Sequence, residues 1–185
     1  MVIGVGVLCN SVGGRRPSTN RLDVEFRNRV TERATYNGRR RALQIAPRPP
    51  FEVLEHTADA GIVARGADLR ELFANAALGM FSLMADVDGV AESEQRAIEV
   101  SGHDLETVLV RWLTELLYYL DAEEMLFHRF EVDELSETAL KARAFGERID
   151  PQRHRLHFGV KAVTRHLLEI AREDGGYRAT VLFDI

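Results

Sequence analysis

Two stretches of this chain carry apolar residues at helical spacing, and most of the rest of residues 51–185 alternates at the period of a strand. In ADLRELFANAALGMFSLMAD (67–86), Leu69, Leu72, Phe73, Ala76, Met80, Leu83 and Met84 share one face. In HDLETVLVRWLTELLYYLDAEEM (103–125), the stripe is Leu105, Val108, Leu109, Trp112, Leu113, Leu116 and Leu120. Each stretch opens on an aspartate. Asp68 with Glu71 three residues on has the spacing of a capping box, and Asp104 caps the second stretch. A chain with these two stripes must lay two helices on something apolar.

That something is a set of strands. FEVLEH (51–56) and IVARG (62–66) flank the turn TADAG, and QRAIEVS (95–101) lies between the helices. Five short candidates follow the second helix, at 127–134, 138–146, 155–164, 166–173 and 177–185. Between the last two sits Asp174-Gly175, a two-residue hairpin signal because both turn positions want φ > 0. The expected class is α+β, with two helices packed on a largely antiparallel mixed sheet.

Charge divides the chain. Residues 1–49 hold ten arginines, no lysine and three acids, a net +7, which leaves −12 for the remainder. Pro47, Pro49 and Pro50 mark the boundary. Residues 1–49 therefore read as a basic, disordered extension or as coding sequence upstream of the true start, and 50–185 as one domain. An RNA-binding arm is the other reading of the extension, with only Tyr36 to supply aromatic interleaving. The opening MVIGVGVL has neither the positive leader nor the apolar length of a secretory signal. With Cys9 as the sole cysteine, an internal disulfide and a cysteine zinc site are excluded, and a reducing, cytoplasmic setting is expected. The acidic domain does not suit nucleic acid by bulk electrostatics and suits a cation or a basic partner.

Enzyme motifs are missing. GVGVLCNSVGG lacks the lysine of a phosphate loop, no GxSxG elbow occurs, and HDLETVLVRW is not HExxH. Two patches remain. One is EHTADAG (55–61); the other is the closing hairpin ending in TVLFDI. If Asp174-Gly175 is the hairpin tip, residues near 165 face residues near 184, with Lys161 a few positions farther along. If the first hairpin neighbours the last, Asp59, Asp184 and the α-carboxylate of Ile185 converge, and a hard cation would relieve their repulsion. The alternative for Asp184 is a solvated residue on an edge strand. His56 and His166 are each either a locally bonded turn histidine or a ligand. Lys161 is one of two lysines against 22 arginines, which hints at a need for a compact ammonium; a surface lysine is the alternative.

Together, HTAD-x-G at 56–61, VKAVT-x-H at 160–166 and the ending FDI resemble the archease family over residues 51–185. The resemblance implies a small protein that is not itself an enzyme. It implies a cofactor of the RtcB-class tRNA-splicing RNA ligase, promoting guanylylation and multiple turnover in tRNA splicing or RNA repair. GTP and tRNA would be contacted indirectly, with no membrane or DNA partner. It implies a divalent metal, calcium first and magnesium or manganese otherwise, on Asp59, Asp184 and Ile185. The family's functional lysine falls on Lys161, and His56 and His166 face the partner or its phosphates. A chaperone-like modulator of a tRNA-modification enzyme is the second reading. A metal-dependent hydrolase with His56 as general base is the third.

Overall fold

The computed structural model describes residues 49–55, 60–157, 159–173 and 175–185. The expectations for 1–48, His56, Asp59 and Asp174 lie outside the described residues.

Among the described residues, seven strands and two helices follow in the order β1 (Phe51–Glu55), β2 (Ala60–Gly66), α1 (Leu69–Met84), β3 (Glu94–Ser101), α2 (Leu105–Glu123), β4 (Met125–Leu135), β5 (Ala139–Arg148), β6 (Ala162–Glu173) and β7 (Gly176–Asp184). A short 3-10 turn, Val87–Gly89, follows α1. The expected α+β class with two helices is the observed one. The strands divide into two sheets, one of order β1-β2-β7-β6 and one of order β3-β5-β4. Every pairing is antiparallel.

The helices start where the caps say they should. Asp68 accepts from the Glu71 N–H at 2.9 Å, and Glu71 reaches back to the Ala67 N–H at 2.6 Å. Asp104 accepts from the Thr107 N–H at 2.7 Å. Helix α2 ends on Glu124 in the left-handed conformation, φ 54°. Helix α1 buries its expected stripe except Leu69, which is half-buried, and also Ala77 and Phe81, because it meets β2 of one sheet and β4 of the other. A helix covered on two sides must be apolar on two sides. Gly79 permits the close approach: a Cβ there would stand 3.0 Å from Ile62 and 3.1 Å from Phe51. Trp112 is fully buried and its indole N–H donates to the Phe73 carbonyl at 3.2 Å, which joins α2 to α1 and satisfies the ring's one polar atom. Phe81 lies 5.7 Å from Phe127 and 5.6 Å from Phe130, ring centre to ring centre.

The end of the chain departs from expectation. Residues 155–157 and 159–161 are not a strand of the sheet: Leu156 bridges to Ala85, and the His157 N–H donates to the Met84 carbonyl at 2.8 Å. This loop spends its backbone on the end of α1. The last three residues of the expected strand 155–164 and the expected strand 166–173 form one strand, β6 (Ala162–Glu173), broken by a bulge. Glu173 pairs with Gly176 and Glu169 with Thr180, but Thr164 pairs with Leu182. Residues 165–168 thus stand opposite Val181 alone. Leu167 in the bulge has φ 54°, which for a side chain with a Cβ costs roughly 1–2 kcal/mol. The hairpin tip is as expected on its described side, with Gly175 at φ 88°.

The loop into β6 hangs on a buried carboxylate. Glu147, 9% exposed, takes a two-pronged bond from Arg153 at 2.9 Å on each arm, the Ala91 N–H at 2.7 Å, and His154 at 3.1 Å. His154 accepts the Asp150 N–H on Nδ1 at 3.0 Å, so Nε2 bears the proton that goes to Glu147. The Arg153 bonds first, then the Ala91 N–H and His154, hold the Glu147 pKa down at about 2.

A group with a depressed folded pKa gives stability above its unfolded pKa and loses it on acidification through the folded one. Glu147 should therefore stabilise the domain fully above pH ~4.5 and cease to do so as the pH falls to about 2. Glu147→Gln should cost roughly 2 kcal/mol at pH 7 and flatten the acid limb between those values, as read by urea unfolding across pH. An acid limb identical to wild type would remove Glu147 from this role.

Candidate functional site

Strand pairing brings three chain segments to one end of the four-stranded sheet. Strand β1 stops at Glu55, paired with Ala60, and Ala60 pairs in turn with Phe183. The described flanks of residues 56–59 therefore end where β7 delivers Asp184 and Ile185. From the other side, Ala162 pairs with Asp184.

Lys161 enters through this last pairing. Its N–H donates to the Asp184 carbonyl at 2.8 Å, and its ammonium donates to the Ile185 oxygen at 3.1 Å. An uninterrupted β6–β7 ladder would have set residue 165 against Asp184, as the sequence suggested, and left Lys161 beyond the last pair. The bulge moves the register by three residues and puts Lys161 against the chain end. Lys161, Asp184 and Ile185 are all exposed, so the cation and the acids stay in water and free to meet a partner.

His166 does not join them. It lies on the bulge, exposed, between Arg165 and Leu167. The expectation that it would stand beside the chain's end assumed the unbroken ladder. Arg165, which sequence reasoning passed over, reaches from the bulge to the Thr107 hydroxyl at the start of α2. Its only signal in the sequence was the broken alternation at 165–168, where Leu167 and Leu168 stand side by side.

The donors present suit a hard cation. Asp184 and the Ile185 terminus offer oxygen alone, the ligand type that calcium and magnesium take, and the Lys161 ammonium already compensates charge at Ile185. Among the described residues no three His, Cys, Asp or Glu side chains gather as a metal site. Asp59 and His56 are outside that set. Also among the described residues, no helix is long and apolar enough to cross a membrane.

The profile of the Archease protein family matches residues 51–185. Protein archease of Sulfurisphaera tokodaii is 43% identical over 137 residues, covering 73% of this chain and 98% of that protein. Protein archease of Methanothermobacter thermautotrophicus is 44% identical over 138 residues, covering 73% and 98%. The solution structure of Methanobacterium thermoautotrophicum protein 1598 superposes with a TM-score of 0.65 at 43% identity, covering 74% of this chain and 99% of that one. The crystal structure of a Thermotoga maritima archease, named a possible chaperone, shares the fold at 20% identity, with a TM-score of 0.51 over 75% and 97% of the two chains.

An exposed ion pair contributes little to stability. Lys161→Met should shift unfolding by less than about 1 kcal/mol, measured by chemical denaturation at neutral pH. A loss of about 3 kcal/mol, the size expected for a broken buried pair, would make Lys161 a structural support rather than an available functional group.

Proposed function

The chain belongs to the archease family, and on that premise we propose that it is a non-catalytic protein cofactor that activates an RtcB-class RNA ligase in tRNA splicing or RNA repair. The observation that carries the reading is the contact of Lys161 with Ile185 beside Asp184: one ammonium and the chain-end acids, exposed at the tip of a rigid sheet. A binding protein that acts on phosphate chemistry needs such a tip more than it needs a cavity.

The tip enters the ligase's nucleotide cleft. Lys161 places a compact positive charge against the phosphates of GTP. Asp184 and the Ile185 carboxylate, together with Asp59, face the ligase's own cations and orient them. His56 and His166 would meet the partner, His166 from the β6 bulge rather than from beside the chain's end. Positioning and electrostatics are the main levers in such transfers, since the protein contributes little covalent chemistry there. A divalent cation, calcium or else magnesium or manganese, would be held by Asp59, Asp184 and the Ile185 carboxylate and would supply a fixed positive charge. The acidic domain also suits a basic surface around a nucleic-acid enzyme's active site.

The direct measurement is covalent GMP transfer to a purified cognate ligase at limiting ligase, with GTP and manganese. The wild-type chain should stimulate turnover, and Asp184→Ala, Asp59→Ala and Lys161→Ala should each reduce the stimulation on the order of tenfold without unfolding. Equal stimulation by all four chains would keep the ligase and discard the tip. No stimulation by any would favour the second reading, a chaperone-like modulator of a tRNA-modification enzyme, which should suppress its partner's aggregation without metal. The Thermotoga relative's description as a possible chaperone supports keeping that arm.

Calcium titrated calorimetrically should bind the wild-type chain saturably. Asp184→Ala, and a chain extended by Gly-Ser after Ile185, should each bind roughly tenfold more weakly or worse, because each removes a charged oxygen ligand. Equal binding by all three would exclude the chain's end as a ligand.

A further inference from the structure

We propose that Arg165 is a positioning residue: by tying the β6 bulge to the Thr107 hydroxyl at the start of α2, it sets the register that brings Lys161 to Ile185. The functional meaning of this rests on the reading of Lys161 as the phosphate-facing group, whereas the register itself does not.

A strand pair has many registers, and an edge strand such as β6 has one neighbour to choose among them. The hairpin tip fixes the half nearest Gly175, as far as Glu169 with Thr180. It cannot fix the far half, because residues 165–168 intervene opposite Val181 alone. Something else must decide that Ala162, and not Arg165, pairs with Asp184. The one polar anchor found inside the bulge is Arg165.

Its attachment is firm. Thr107 is 4% exposed, and its hydroxyl accepts from Arg165 while donating to Asp104 at 2.5 Å. Asp104 is itself the N-cap, bonded to the Thr107 N–H. The Thr107 hydroxyl first, then that N–H, hold the Asp104 carboxyl below its ordinary range, and the charges of His103 and Arg165 act in the same direction. The cap is therefore an anion facing the guanidinium through one shared hydroxyl. His103 also lies 3.1 Å from the Thr107 oxygen. Threonine, histidine and aspartate in contact have the membership of a nucleophile set, but this hydroxyl is buried and already committed to two partners. The group holds a strand.

Leu167 shows the same constraint from the other side. It is 67% exposed and keeps a left-handed backbone with little burial to offset the cost. The bulge is held in that shape from outside itself, and Arg165 is two residues away.

The test uses the isotope-labelled full chain, without ligase, so its failure is separate from failure of the activator reading. NMR reads the through-hydrogen-bond coupling from the Lys161 amide to the Asp184 carbonyl, together with amide exchange along β6. Arg165→Met should abolish the coupling and speed Lys161 exchange on the order of tenfold relative to residues 169–173, as expected when one charge-assisted anchor is lost locally. Thr107→Val, which breaks the link from the helix side, should do the same. Arg165→Lys, which keeps a donor, should retain the coupling. Retention of the coupling in Arg165→Met overturns the proposal, as does a uniform rise in exchange along the whole of β6. If Arg165→Met does not fold, Thr107→Val decides on the same two readings.

Discussion

Helix Leu69–Met84 is apolar on two sides, and each side needs its own cover. That requirement organises the domain. One side is closed by β2 and its sheet, the other by β4 and the second sheet. Phe73, Met80 and Phe81 reach zero exposure only because both are in place. Burying such side chains contributes roughly 1.5–3 kcal/mol each, so neither sheet can separate from the helix without large loss. The second helix needs less. It lies against β3 and β6, and its Trp112 indole bond to Phe73 sets its height along the first helix.

Rigidity of this kind reaches the sheet end through pairing. β2 and β7 are the two inner strands of the four-stranded sheet, and both touch the buried helix. β7 carries Asp184 and Ile185, so the acidic end inherits the order of the core. Lys161 arrives by a less certain route. The 149–157 loop is gathered by Glu147, Arg153 and His154, the 155–157 stretch bonds the end of the first helix, and the strand then has to cross its own bulge. The acids are placed by the core; the ammonium is placed by two polar clusters, one at Glu147 and one at Asp104.

The sequence showed the parts that repeat locally. Helical stripes and their capping aspartates recur every three to four residues, so they survive without knowledge of the fold. Strands were visible by alternation, but alternation does not say which strands share a sheet, and the division in two went unseen. Val160 and Lys161 looked like strand for the same reason, although the loop before β6 bonds a helix end instead. Asp184 and Ile185 were singled out because two acids side by side at an apolar strand's end are costly, an argument that needs no coordinates. The relation of Lys161 to them was misplaced by three residues, since a bulge changes register and its presence depends on Arg165 meeting Thr107, 58 positions away. His166 was misplaced by the same slip.

The bulge has one more consequence. β6 is twelve residues long and forms an outer edge of its sheet. A straight edge of that length exposes a continuous row of unpaired backbone groups, on which another chain's strand can add itself and seed aggregation. Four residues that bend out of line, one of them arginine, cut that row into two short runs. Neither run is long enough to serve as a good template. The irregularity that aligns the tip thus also shortens the template that edge-to-edge pairing would need.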